Sequence, residues 1–200
     1  MENSIGSKLE KYNDNSSISN KDIVNCYFIQ SADERIKRII ECISKAEKRI
    51  YILSSSSRTK TTQTIQHKNY LFALNEILEK KSNVDFLRII VPPQSLSNAL
   101  KNEEELINRI KELEPYEDHF NMINKFREKS LIAMPDGPRG ISILFIDDRF
   151  LFLIITKDYK EKILSDLLTG GFFFDNLSKN LAQRFKECFK TMKLSGIVIE

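Results

Sequence analysis

The stretch that decides the architecture is GISILFIDDRFLFLIIT, Gly140 to Thr156. Two apolar runs flank Asp147-Asp148-Arg149. Both are of strand length and rich in Ile, Leu and Phe, residues that pack well on a pleated surface. Aspartate commonly fills turns, because its carboxylate bonds nearby backbone N–H groups. The spacing predicts a β-hairpin turning at Asp147-Asp148. A hairpin contributes an antiparallel pair, so any sheet that contains it together with crossover-linked strands is mixed.

Upstream of the hairpin, the pattern alternates. IVNCYFIQ, 23–30, predicts a short strand. Ser31 and Glu34 then form a capping-box pattern, and Ile36, Ile39, Ile40 and Ile43 recur at helical spacing over 32–47. RIYILSS, 49–55, reads as a buried strand. A polar loop, SSRTKTTQTIQHK, follows it. YLFALNEILEKK predicts a helix with Leu71, Leu74, Ile77 and Leu78 on one face. DFLRIIV is a second strand, stopped by Pro92-Pro93. QSLSNALKNEEELINRIKELEP is helical in pattern up to Pro115, with Glu103, Glu104 and Glu105 suiting the helix dipole. EDHFNMINKFREK predicts a further short helix and SLIAM a strand.

Downstream, KEKILSDLL predicts a short helix and GGFFF a strand. DNLSKNLAQRFKECFKTMK reads as a long helix capped by Asp175 or Asn176. Its expected buried stripe is Leu181, Phe185, Cys188 and Phe189. IVIE suits a last edge strand. The whole is α/β, a mixed β-sheet flanked by helices. Residues 1–21, rich in Asn, Ser and Lys, read as a flexible polar tail, and 22–200 as a single α/β domain.

Composition narrows the classes. Hydrophobic residues make up 41% and charged residues 30%, as in a soluble globular chain. Net charge is +3, from 31 basic against 28 acidic residues. That balance marks neither a nucleic-acid nor a membrane surface. No helix-turn-helix or basic arm is visible. The start has no apolar signal core, and no apolar run reaches the ~18 residues of a membrane span. The three cysteines, Cys26, Cys42 and Cys188, are far apart. That spacing predicts buried, reduced thiols in a cytoplasmic protein rather than a zinc site or a disulfide framework. With only His67 and His119, a multi-histidine metal site is excluded. No cofactor is called for.

The segments quoted above, in this order, resemble one half of the phospholipase D-like superfamily. ERIKRIIECISKAEKRIYILSS is similar to its first helix and strand. YLFALNEILEKKSNVDFLRIIV is similar to the next pair. ISILFIDDRFLFLIIT is similar to the hairpin that bears its catalytic motif, and GGFFFDNLSKNLAQRFKECFKTM to its closing strand and helix. The resemblance covers about residues 30–195 and implies a phospholipase D-like fold. The family motif is H-x-K-x-x-x-x-D with a Gly-Ser pair about seven residues on. Its histidine takes the phosphoryl group, and its lysine neutralises phosphate oxygens. With Asp147 in the aspartate position, Gly140 stands for the histidine, Ser142 for the lysine, and Ile154-Ile155 for Gly-Ser. No catalytic residue is carried over.

A second constellation lies in the polar loop. Ser55, Ser56, Arg58, Thr59, His67 and Lys68, with Asp147, make a candidate ligand set. Hydroxyls beside cations suit a phosphorylated small molecule. Two functional classes follow. One is a non-catalytic, regulatory module for ligand sensing or protein assembly, with itself or another protein. The other is a phosphodiesterase or nuclease acting as a homodimer, with an altered site around His67 acting as base. A nucleic-acid contact through Arg58, Lys60 and Lys68 is the weakest, given the near-neutral charge.

Overall fold

The computed structural model describes residues 24–55, 65–92, 102–113, 123, 127, 129–155 and 170–199. Its elements in chain order are β1 (Asn25–Ile29), α1 (Ala32–Ser44), β2 (Arg49–Ser55), α2 (Ile65–Lys80), β3 (Asp85–Val91) and α3 (Glu103–Leu113). They continue with β4 (Leu131–Ala133), β5 (Ile141–Ile146), β6 (Phe150–Ile155), β7 (Gly171–Asp175), α4 (Lys179–Ser195) and β8 (Ile197–Val198). All the strands join one sheet in the order β1-β7-β6-β5-β2-β3-β4-β8. β2–β3 and β3–β4 pair in parallel, and every other neighbour pair is antiparallel. The predicted hairpin is β5–β6, and it pairs alongside β2, with Phe145 opposite Tyr51.

Side-chain alternation sorts the core onto the two faces of the sheet. On one face, Ile50, Ile52, Phe86, Ile90, Leu144 and Phe152 pack with Ile39 and Ile43 of α1, Leu74 and Leu78 of α2, and Leu106 and Ile110 of α3. On the other face, Leu53, Leu87, Ile89, Phe145 and Leu151 pack with Ala182, Phe189 and Met192 of α4. β3 is buried from Phe86 to Val91, as a parallel strand covered on both faces must be. Phe145 anchors the α4 face, with ring centroids of Tyr51, Phe185 and Phe189 at 6.1, 6.0 and 6.5 Å.

Several boundaries differ from the sequence expectation, each for a local reason. α1 is capped as predicted, with Ser31 Oγ accepting from the Glu34 N–H at 3.3 Å. It stops at Ser44, short of residue 47, because the backbone N–H groups of Glu47, Lys48 and Arg49 turn away to the Asp147 carboxylate. α2 starts at Ile65, five residues before Tyr70, and this first turn lies beyond the core, with Ile65 74% exposed. The cap of α4 is Ser178, whose Oγ accepts from the Leu181 N–H, and not Asp175 or Asn176. Asp175 is still in β7, and Asn176 makes the turn with φ 63°.

Cys188 corrects a second expectation, for it is exposed and outside the buried stripe. Among the described residues α4 is the one helix packed on this face, and its buried arc is narrow, Ala182, Phe189 and Met192 with Phe185 at its margin. Cys26 is exposed as well, so burial of the thiols holds only for Cys42. The expected tail at 1–21, most of the 117–129 helix and the 160–168 helix lie outside the described residues. Among the described residues, no helix is long and apolar enough to cross a membrane.

Candidate functional site

Strand direction gives the sheet two chemically different edges. β1, β2, β3, β4 and β6 all end at one of them, and β5 and β7 begin there. Ligands in α/β sheets gather at the carboxyl ends of parallel strands, so this edge is the candidate site. α2 runs back from it toward the start of β3, which leaves the first turn of α2 at the same edge.

Small side chains line this edge. Gly140 opens β5 with φ 75°, a left-handed conformation that favours glycine. Ser142 pairs across to Ile154, and Ile154 pairs to Gly171. Continuing the register of Leu53 with Ile143, Ser54 comes beside Ser142. The alternation puts Ser54, Ser142 and Gly171 on the α1–α3 face. Ser54 Oγ is sealed from solvent and has no hydrogen-bond partner among the described residues.

Two arginines tie the strand ends together here. Arg35 of α1, 8% exposed, donates through one terminal nitrogen to the carbonyls of Ile29 and Gln30 at 3.1 and 2.7 Å. Its Cδ lies so close over Gly171 that a Cβ there would meet it at 2.6 Å. Arg139 donates from Nε to the Pro92 carbonyl at 3.3 Å and from its terminal nitrogen to the Pro135 carbonyl. Sequence reasoning missed both arginines. Each bonds main-chain carbonyls, which every residue has, so no side-chain pattern announces them.

The ligand set proposed from sequence is only partly gathered at this edge. Ser55 ends β2 there, and His67 and the exposed Lys68 belong to the first turn of α2. Ser56, Arg58 and Thr59 lie outside the described residues. Asp147 does not join the group. It sits at the far end of β5, a strand length of about 20 Å from the edge at ~3.3 Å per residue.

Asp147 has a different task. Its Oδ2 accepts from the Glu47 N–H at 2.7 Å, and its Oδ1 from the N–H groups of Lys48 and Arg49 at 2.7 and 3.0 Å. Its own N–H donates to the Arg49 carbonyl at 3.1 Å. Asp147 and Asp148 both have left-handed backbones, φ 54° and 62°, and the turn closes with the Arg149 N–H on the Ile146 carbonyl at 3.0 Å. Aspartate tolerates that conformation better than most residues.

The rest of this far edge is a polar clasp. Asp148 faces Arg49 at 3.2 Å, an ion pair without hydrogen-bond alignment, and Lys186 of α4 at 3.6 Å. Arg149 pairs with Asp175 at 3.2 Å and lies over the Phe150 ring. The Tyr51 hydroxyl donates to Asp85. Burial first, and that bond second, push the Tyr51 phenol up to about 12. Burial likewise pushes the Cys42 thiol up to about 11, so at neutral pH it is a core thiol and no nucleophile. Among the described residues, no group of three or more His, Cys, Asp or Glu side chains could hold a metal ion.

No protein-family model matches the sequence, and no curated protein matches it. Solved structures do match in shape. TrmBL2, an archaeal chromatin protein with a novel mode of DNA binding, superposes with a TM-score of 0.55 at 11% identity, covering 88% of this chain. The chain spans about half of that protein's length, 55%. NucT from Helicobacter pylori gives a TM-score of 0.50 at 12% identity, covering 88% of this chain and 98% of that one. Nuc from Salmonella typhimurium, a phospholipase D family member, gives 0.49 at 13% identity over 88% of this chain and 97% of its own. These likenesses concern fold alone. The architecture is the expected one, a mixed α/β sheet flanked by helices.

Proposed function

We propose that this chain is a phospholipase D-like module without phosphodiester chemistry, acting by sensing a ligand or by assembling with protein as the regulatory part of a larger system. The observation that carries the proposal is the start of β5. The resemblance assigns imidazole and ammonium to two positions there, and Gly140 and Ser142 occupy them. Phosphoryl transfer through the enzyme needs a nucleophile active at neutral pH and a fixed cation on the developing charge. A glycine supplies neither. A serine hydroxyl needs a base, and the neighbours of Ser142 along its row are Ile154 and Ser54.

The ligand class that suits this edge is a small phosphorylated molecule. Ser54 and Lys68 support it from the described residues, and Ser55, Ser56, Arg58, Thr59 and His67 support it by composition. Asp147 has no part in it. The test pairs calorimetry against nucleotides and phosphorylated metabolites with hydrolysis assays on bis(p-nitrophenyl) phosphate and on DNA. Micromolar binding without turnover is expected. Turnover of either substrate would sink the proposal.

A second reading draws on one fact, that the turn of α2 holding His67 lies at the same edge as Gly140 and Ser142. On it, two copies act as a phosphodiesterase or nuclease with His67 as base. Loss of hydrolysis in His67→Ala would be its signature, and unchanged hydrolysis would reject it. DNA binding, the property of TrmBL2, has here only Arg58, Lys60 and Lys68 to support it. It would show as affinity falling steeply with salt.

A further inference from the structure

The sheet's two side edges are finished differently. β8 is two residues long, half-buried, and passes straight into the buried Ile199. β1 is five residues long, and four of them, Asn25 to Phe28, are exposed. One side of β1 pairs with β7, and among the described residues nothing pairs with its other side. That side is a row of N–H and C=O groups along an extended backbone, a shape that another extended backbone fits.

Folded proteins usually blunt such an edge with Lys, Pro, a bulge or an inward charge. VNCYFIQ, Val24 to Gln30, contains no charge and no proline. Its register runs unbroken from Asn25 opposite Asp175 to Ile29 opposite Gly171, so it holds no bulge. Two aromatic rings stand on opposite faces of this edge, Tyr27 52% and Phe28 60% exposed.

We infer that β1 is a seam joining two copies of this chain, with β1 against β1 of the second copy. The strands run antiparallel about a two-fold axis at Tyr27, merging two eight-stranded sheets into one. The strand is suited to itself. An axis through its middle residue sets Asn25 opposite Ile29 of the partner subunit and Cys26 opposite Phe28 of the partner subunit. A small side chain then meets a large one, and no like charges face each other.

The seam is also held ready. The Phe28 ring packs on Gly170, where a Cβ would lie 2.2 Å from it, and against Phe172 with centroids 5.3 Å apart. Tyr27 stacks on Phe173 at 6.1 Å, and Arg35 fixes the strand's end through the Ile29 and Gln30 carbonyls. Rings and backbone that are already placed lose little freedom on pairing. Five paired residues bury less than the ~1,200 Å² of a standard stable interface, so the dimer is reversible and concentration-dependent.

This inference deepens the assembly half of the function proposed above by naming the partner. Hydrolysis by the chain would reject that function and leave the seam standing. The test is sedimentation and light scattering of the full chain across a concentration series. The mass is expected to rise from 23.3 kDa toward twice that value. Cys26→Lys, at an exposed position, puts an ammonium on each facing edge and should weaken the dimer at least tenfold. As a second route, Tyr27→Cys in a Cys26→Ser, Cys188→Ser background sets the new thiols across the axis. Directly opposed residues have Cα atoms about 4.5–5.5 Å apart, within disulfide reach. Mild oxidation should therefore cross-link that variant and leave a Leu194→Cys control uncross-linked. A monomer at every concentration, or a dimer indifferent to Cys26→Lys that fails to cross-link through position 27, would overturn the seam.

Discussion

Replacing Asp147 separates two contributions that the far edge combines. Its carboxylate accepts three backbone N–H bonds, from Glu47, Lys48 and Arg49, and its backbone holds φ 54°. Hydrogen bonds to a charged acceptor are worth about 1.5–3 kcal/mol each. Here Glu47 and Lys48 are exposed and Arg49 is half-buried, so water replaces much of two of them. About 2 kcal/mol remains for the set. A left-handed backbone costs an ordinary residue about 1 kcal/mol or more, and aspartate and asparagine less.

Asp147→Ala loses both contributions and should destabilise by about 3 kcal/mol. Asp147→Gly relieves the backbone and loses only the bonds, about 2 kcal/mol. Asp147→Asn keeps the turn and one neutral acceptor and should cost about 1 kcal/mol. Urea unfolding at pH 7 measures the series. With a slope of about 2 kcal/mol per molar, the alanine midpoint should fall by about 1.5 M. The order Ala, Gly, Asn is the diagnostic. If Ala and wild type share a midpoint, the clasp contributes nothing and the account of the far edge is wrong.

The remaining predictions concern the core and its titrating groups. Phe145→Ala removes a fully buried ring from among Tyr51, Phe185 and Phe189 and should cost about 3–5 kcal/mol in the same unfolding assay. A thiol reagent at pH 8 should modify Cys26 and Cys188 at once and Cys42 only after unfolding, since Cys42 is buried and its thiol is pushed up to about 11. For Cys42 the fold favours the protonated form. Its stabilisation is therefore complete below the ordinary value of 9.0 and is lost as pH rises toward about 11, which unfolding curves of wild type and Cys42→Ala would resolve. In a phenolate absorbance titration, Tyr51 should ionise late, near 12, and that component should vanish in Tyr51→Phe.

How much of this was legible depends on the range of the interactions. β2, β3 and the β5–β6 hairpin were readable because each is a local run of apolar residues. The cap of α4 was not, because Asp175, Asn176 and Ser178 are all cap-forming residues. The choice among them is made by β7 pairing as far as Asp175. Cys188 was misread because periodicity shows an apolar arc but not how much of it a single supporting layer covers. Asp147 entered the ligand set on chemistry alone. Its true partners lie 98–100 residues away in sequence and are backbone groups, which carry no signature. The same holds for Arg35 and Arg139. The placement of Ser55 and the first turn of α2 at the Gly140 edge follows from strand order, which no single stretch contains.

The hairpin's two ends explain how such a frame and its chemistry can be separated. The Asp147 end is bound by three backbone bonds to the turn residues Glu47 and Lys48 and to Arg49, the first residue of β2, to α4 through Asp148 and Lys186, and to β7 through Arg149 and Asp175. The Gly140 end is built from glycines, serines and isoleucines, and its strand termini are tied by Arg35 and Arg139, which bond main-chain carbonyls. Replacing side chains at positions 140 and 142 therefore leaves those ties in place. A change at Asp147 disturbs the fold and lies about 20 Å from the Gly140 edge. The residues that hold this frame are not those that would perform its chemistry.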